Sequence, residues 1–180
     1  MGKITDIEDI EENFWSPRYG IKGKIDMTVR TRHKGVDKVV PLELKTGRAS
    51  YSAEHKGQVT LYSMMSCDRR PDPEGGLLLY LKNGSMEEIS SGRVEKQGLI
   101  QLRNELVHYL SSKPFVDEDG NVHRPPPLPE PLNDTRSCSK CPQLLACSLY
   151  QKSIEINVPQ SPHAMSSLVP STIGHLQEVK

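Results

Sequence analysis

From Lys24 to Arg30 the chain alternates, with Ile25, Met27 and Val29 apolar and Asp26, Thr28 and Arg30 polar. That is the period of a strand with one buried face. The alternation returns from Val39 to Lys45: Val40, Leu42 and Leu44 point one way, and Val39, Glu43 and Lys45 the other. "RHKGVDK" between them supplies a turn, so the two segments predict a β-hairpin. Pro41 cannot donate to a ladder, which predicts an edge position or a bulge. From Ser50 to Arg70, Val59, Leu61, Tyr62 and Met65 form an apolar stripe with Ser50 or Ser52 available as a cap, so a helix is expected despite Gly57. "GGLLLYLKNG", Gly75 to Gly84, is a continuous apolar run, as expected of a strand covered on both faces at the centre of a sheet. Val94, Leu99, Leu102, Leu106 and Leu110 recur at helical intervals across 93–112, predicting a second helix packed on that sheet. The acidic opening leads into "FWSPRYG", which reads as an edge or a lead-in.

Downstream, proline and charge dominate from Lys113 to Arg136, and "RPPPLPEPLND" reads as an extended connector. Past Lys152, serine, proline and histidine show little periodicity, so that tail is expected to be largely unstructured. The expected organisation is a domain over 1–152, containing a proline-rich connector at 113–137 and a cysteine-bearing stretch at 138–147, followed by a tail at 153–180. No internal repeat is visible.

Composition narrows this only a little. Lys plus Arg balance Asp plus Glu at 23 each, so any nucleic-acid surface has to be local. No apolar leader opens the chain and no run approaches the ~18 apolar residues of a membrane span, which reads as a soluble intracellular protein without a membrane partner. Gly2 follows Met1, but Asp6 stands where myristoylation wants Ser or Thr. The chain has 4 cysteines, which without a secretion signal suggest metal or free thiols more than disulfides.

The hairpin brings chemistry with it. Its register sets Asp26 on the same face as Glu43 and Lys45, so two carboxylates and an ammonium converge. Hard divalent cations take one or two carboxylates plus water and substrate phosphate. Such a cation lowers the pKa of bound water and offsets charge at phosphorus, while a lysine steadies the attacking hydroxide or the oxyanion. The plain alternative is a cross-strand salt bridge, for which Glu-x-Lys is a common pattern. The following helix adds Gln58 and Tyr62, i and i+4 on one face. Cys138, Cys141 and Cys147 have C-x2-C-x5-C spacing, which suits a zinc knuckle, a cluster or free thiols. Cys67 has no partner in its spacing and reads as a structural thiol. His33, His55, His108, His123, His163 and His175 are scattered, with only His55 one turn before Gln58. Lys22, Lys24, Arg30 and Arg32 form a basic strip suited to phosphates or to a solvated strand face.

"GKID", "ELKTG" and "QVTLY", in that order, resemble the RecB-like branch of the PD-(D/E)xK nuclease superfamily. The resemblance covers roughly residues 14–152. It implies an α/β, restriction-endonuclease-like mixed sheet flanked by helices. It implies Asp26 and Glu43 as ligands of Mg2+ (or Mn2+), Lys45 as the catalytic lysine, and Gln58 and Tyr62 lining the site toward DNA. The wording of "ENFWSPRYGIKGKID", "DPEGGLLLYLK" and "CSKCPQLLACSLY" is similar to the nuclease part of eukaryotic replication helicase–nucleases. A fragment or short isoform lacking N-terminal elements is therefore expected. In that subset a C-terminal cysteine trio and one far N-terminal cysteine hold a 4Fe–4S cluster that staples the domain, which here implies Cys138, Cys141 and Cys147. Residues 1–25 contain no cysteine, so the set is one ligand short, and a cluster with an outside ligand, zinc or an empty site all stay open. The implied partners are single-stranded or flap DNA and a single-strand-binding protein, in the nucleus or the mitochondrion. No G-x-x-x-x-G-K-[ST] loop occurs in this chain, so it carries no helicase motor of that type. Three readings follow: a metal-dependent DNA nuclease of DNA replication and repair, an inactive DNA- or partner-binding remnant, and a zinc-stapled interaction module.

Overall fold

In the computed structural model the described residues are 2–50, 52–116, 123, 124, 126, 128–132 and 134–157. The chain divides into two compact units, Met1–Ser111 and Ser112–Lys180.

The first unit is a mixed α/β structure. Strands β1 (Lys3–Ser16), β2 (Ile21–His33) and β3 (Val36–Lys45) precede helix α1 (Ala53–Ser66), strands β4 (Gly75–Tyr80) and β5 (Ser85–Ser90), and helix α2 (Arg93–Ser111). The five strands form one sheet in the order β1-β2-β3-β4-β5. Only β3 and β4 run parallel, and α1 is the crossover that a parallel pair requires.

The hairpin of β2 and β3 forms as the alternation predicts, with Val29 opposite Val40 and Met27 opposite Leu42. His33 pairs with Val36, so the turn is only Lys34 and Gly35, both with positive φ (49° and 81°). Two such residues match the right-handed twist of the strands they join. Pro41 corrects its own expectation. It is neither on an edge strand nor at a break in register, for it pairs regularly with Thr28 in the middle strand. Pairing with β4 starts one residue later, at Leu42, so its missing N–H costs no bond on that side.

Phe14 and Ile25 pack on Tyr62 and Met65, and Leu78, Tyr80 and Ile89 pack on Val59. Helix α1 thus seals one face of the sheet. Val29, Val40, Leu42 and Leu77 make a separate apolar cluster, so Ile25 and Val29, expected on one buried face, belong to different clusters. Each such fully buried side chain is worth about 1.5–3 kcal/mol relative to exposure.

Three expectations for this unit need amendment. The Gly75–Tyr80 run is an interior strand, but the centre of the sheet is β3. Strand β5 had no clear alternation in sequence, and it forms because "KNG" closes a second hairpin, with Gly84 at φ 64°. Helix α2 has the right span, yet none of its residues is buried, and Val94, Leu102, Leu106 and Leu110 are exposed. Its main contact is with α1, not the sheet. A period of 3.6 specifies a face without specifying what covers it.

In the second unit a short pair of strands, β6 (Phe115–Val116) and β7 (His123–Arg124), lies within the stretch expected to be a simple connector. Asp134 caps helix α3 (Thr135–Cys138), its side chain accepting from the Arg136 N–H. Helix α4 (Leu144–Asn157) runs five residues into the stretch expected to be unstructured; the rest of that tail, 158–180, lies outside the described residues. Among the described residues no helix is long and apolar enough to cross a membrane.

Candidate active site

The ladder between β2 and β3 ends at Met27 and Leu42. Immediately beyond it stand Asp26 and Glu43. The Asp26 carboxylate replaces the lost strand partner, with Oδ2 accepting from the Leu44 N–H at 2.8 Å. Glu11 lies level with Asp26, between the Ile10–Met27 and Glu12–Ile25 pairs, and has φ 59°. That left-handed value is uncommon for a residue with a Cβ. The backbone is therefore irregular on both sides of Asp26.

Glu43 is 4% exposed. Its Oε1 accepts from Lys45 Nζ at 2.7 Å. The same ammonium donates to Gln58 Oε1 at 2.8 Å, Gln58 Nε2 donates to the Tyr62 hydroxyl at 3.0 Å, and that hydroxyl donates to the Lys24 carbonyl at 2.7 Å. The direction of this relay is forced: an ammonium only donates, so the amide oxygen must face Lys45 and the amide nitrogen must face Tyr62. Helix α1 makes the relay possible because i and i+4 residues share a face, and Ser52 anchors its start by accepting from the His55 N–H.

The other Glu43 oxygen, Oε2, is buried with no hydrogen-bond partner. Burial pushes the Glu43 carboxyl above its usual range and the Asp26 carboxylate adds to this, with Lys45 pulling the other way. Burial likewise raises the Tyr62 phenol, reinforced by Glu43 and Asp26. The site thus holds a carboxylate at an electrostatic cost, beside a second carboxylate.

Of the residues singled out for this site, Glu43, Lys45, Gln58 and Tyr62 form one hydrogen-bonded relay, while Asp26 bonds the Leu44 N–H and acts on Glu43 through its charge. The basic strip behaves differently. Lys24 is engaged by Glu11, Arg30 by Glu8, and Arg32 by Asp37 at 2.6 Å. A further pair was not legible in sequence: Tyr80 lies beside Lys45 in the β3–β4 register, donates its hydroxyl to the Ser50 carbonyl, and is 3.1 Å from His55 Nδ1. No local signal joins residues 25 positions apart; only the parallel crossover does.

The three cysteines singled out belong to the second unit. Cys138 is buried and its thiol donates to the Leu132 carbonyl at 3.4 Å, while Cys141 is exposed. Burial raises the Cys147 thiol, and Cys138 and Cys141 add to the effect. In the first unit, Cys67 donates to the Ser63 carbonyl at 3.3 Å, as a structural thiol does. Among the described residues no three or more His, Cys, Asp or Glu side chains converge as a metal-holding group.

Against known proteins, the family model of the DNA replication factor Dna2 matches residues 1–31. The chain is 42% identical over 183 aligned residues to the DNA replication ATP-dependent helicase/nuclease DNA2 of Xenopus laevis, covering 98% of this chain and 17% of that protein. It is 39% identical to the human protein of the same name, over 94% of this chain and 17% of that one. The namesake of Schizosaccharomyces pombe is 32% identical over 98% of this chain and 12% of its own length. The chain therefore spans under a fifth of the curated relatives it matches. Over nearly its whole length, this chain is similar to one segment of the DNA replication helicase/nucleases of the Dna2 family.

Proposed function

We propose that this chain is a metal-dependent DNA nuclease module with a RecB-like fold, in which Asp26 and Glu43 hold a divalent cation and Lys45 assists hydrolysis of a phosphodiester in single-stranded or flap DNA. The observation that carries the reading is the buried, unpartnered Oε2 of Glu43 beside Asp26. A buried acceptor left without a donor costs about 1–3 kcal/mol, a cost that a cation ligand would remove. The donor set fits magnesium or manganese better than zinc. Two carboxylates, with no third His, Cys, Asp or Glu gathered beside them among the described residues, leave the remaining positions to water, backbone carbonyl and substrate phosphate. When bound, the cation would supply charge neutralisation at phosphorus and a more acidic water.

The rest of the chemistry belongs to the chain itself. Lys45 is held between Glu43 and Gln58, so its ammonium is positioned before substrate arrives and needs no reorganisation as oxyanion charge develops. Gln58 and Tyr62 fix that ammonium, and Tyr62 ties the relay to the backbone of β2. The relatives' name, a DNA replication helicase/nuclease, supports DNA as the substrate class and work in DNA replication. Magnesium-dependent cleavage of single-stranded DNA that falls at least about a hundredfold in Glu43→Ala and Lys45→Ala is the expected result. Equal cleavage by wild type and Glu43→Ala refutes the assignment.

The cysteine trio fits its implied group less well. Cys138, Cys141 and Cys147 offer three thiolates where a 4Fe–4S cluster or a structural zinc takes four ligands, and no step of the chemistry runs through them. The alternative reading is a module that binds DNA or a partner without cutting. DNA binding that weakens steeply with salt, without cleavage in magnesium, selects it.

A further inference from the structure

The only tryptophan of the chain, Trp15, is 74% exposed. Its neighbours along β1 explain the exposure: Glu12, Phe14 and Ser16 turn inward and are buried, and the pleat turns Trp15 outward. Its cross-strand partner on β2 is Lys22. Together with Gly23, Lys24 and Arg69 they line a shallow groove of about 510 Å3. The groove is lined by three cationic side chains and no carboxylate. Lys24 is engaged by Glu11, and Arg69 lies 3.7 Å from Glu12 and 4.4 Å from the Phe14 ring centre. Lys22 has no acidic partner among the described residues.

The same strand that carries Lys22 carries Asp26 four residues on, about 13 Å away at ~3.3 Å per residue. Lys24, between them, gives its carbonyl to the Tyr62 hydroxyl of the site relay. The groove and the carboxylate pair thus lie along one strand, with Trp15 and Lys22 turned to the sheet face opposite helix α1. We infer that Trp15 is a stacking platform for an unpaired base of single-stranded DNA, with Lys22 taking an adjoining phosphate. An indole offers a flat apolar face of the kind on which bases of any sequence stack, and a cation next to it follows the backbone; this combination recurs where single strands are bound without sequence preference. A duplex has no free base face to offer. This inference rests on the nuclease reading for its substrate class, and it can fail separately.

Because Trp15 is the sole tryptophan, its fluorescence reports on the groove alone. The test titrates the full chain with oligothymidylate in EDTA, so that no cleavage consumes the ligand, and follows binding in parallel by anisotropy of a labelled oligonucleotide. The expected result is quenching that tracks the anisotropy and is absent with a blunt duplex. Trp15→Ala should weaken binding about tenfold and Trp15→Phe should restore most of it. Binding without quenching, unchanged binding by Trp15→Ala, or no binding at all would each overturn the platform. Magnesium-dependent cleavage, measured separately, decides the nuclease reading: a chain that cuts but whose tryptophan does not respond has lost only the platform.

Discussion

Replacing Glu43 with glutamine keeps its shape and removes its charge, and the consequence for stability has a definite sign. In the folded state burial and Asp26 together outweigh the pull of Lys45 and raise the Glu43 pKa; unfolded, a glutamate titrates near ~4.3. A raised folded pKa means the carboxyl is best tolerated when protonated. Its stability contribution is fully present below the unfolded pKa and is lost as pH rises through the folded one. Above its folded pKa the wild type carries an ionised, partly unpaired Glu43, and there Glu43→Gln should be the more stable protein. The buried orphan acceptor sets the scale at about 1–3 kcal/mol, reduced by the lost ion pair with Lys45, which keeps its bond to Gln58. A net gain of about 1 kcal/mol corresponds to a rise of about 4 °C in Tm for a domain of this size. Thermal unfolding followed by circular dichroism in EDTA, from pH 3 to pH 8, tests this. The two proteins should converge below about pH 4 and separate above it, with the variant higher. Adding magnesium should raise the wild-type Tm and leave Glu43→Gln where it was, because a ligand stabilises only the state that binds it. A variant less stable than wild type at pH 7.5 in EDTA would show that the carboxylate is well solvated or well paired, and the cation argument built on it would fail.

Other elements of the structure make separate predictions. Gln58→Ala removes the support of Lys45 on one side and should lower cleavage about tenfold while leaving the Tm gain from magnesium intact; loss of that gain instead would mean Gln58 supports the carboxylates. Gly76→Ala would set a Cβ 2.7 Å from both the Pro41 carbonyl oxygen and Val59 Cγ1, and since backbone cannot yield, urea denaturation should show a loss of about 3 kcal/mol. Glu12 is buried and pushed upward by burial, yet its bonds from Arg70 and Thr28 prevail and hold it below the usual range. Its contribution is therefore present above the unfolded pKa and lost as pH falls through the folded one. Glu12→Ala should cost about 3 kcal/mol at pH 7 by leaving Arg70 half-buried and unpaired, with a smaller penalty at pH 3.

Much of this was legible in sequence because it is governed by short-range periodicity. Ile25, Met27 and Val29 against Val40, Leu42 and Leu44 announced the hairpin and, through its register, the meeting of Asp26, Glu43 and Lys45. The i, i+4 spacing of Gln58 and Tyr62 announced one helical face. What periodicity left open is which surface a face meets. The leucines of α2 have helical spacing and no burial, because spacing records a stripe and not its cover. Pro41 breaks no ladder, since the parallel pairing begins one residue after it. Tyr80 and His55 became neighbours through the crossover from β3 to β4. The charge state of Glu43 belongs wholly to the folded molecule. A carboxyl in an open strand titrates normally, and only closure of α1 over the end of the hairpin withdraws it from water, leaves one oxygen without a donor and sets Asp26 beside it.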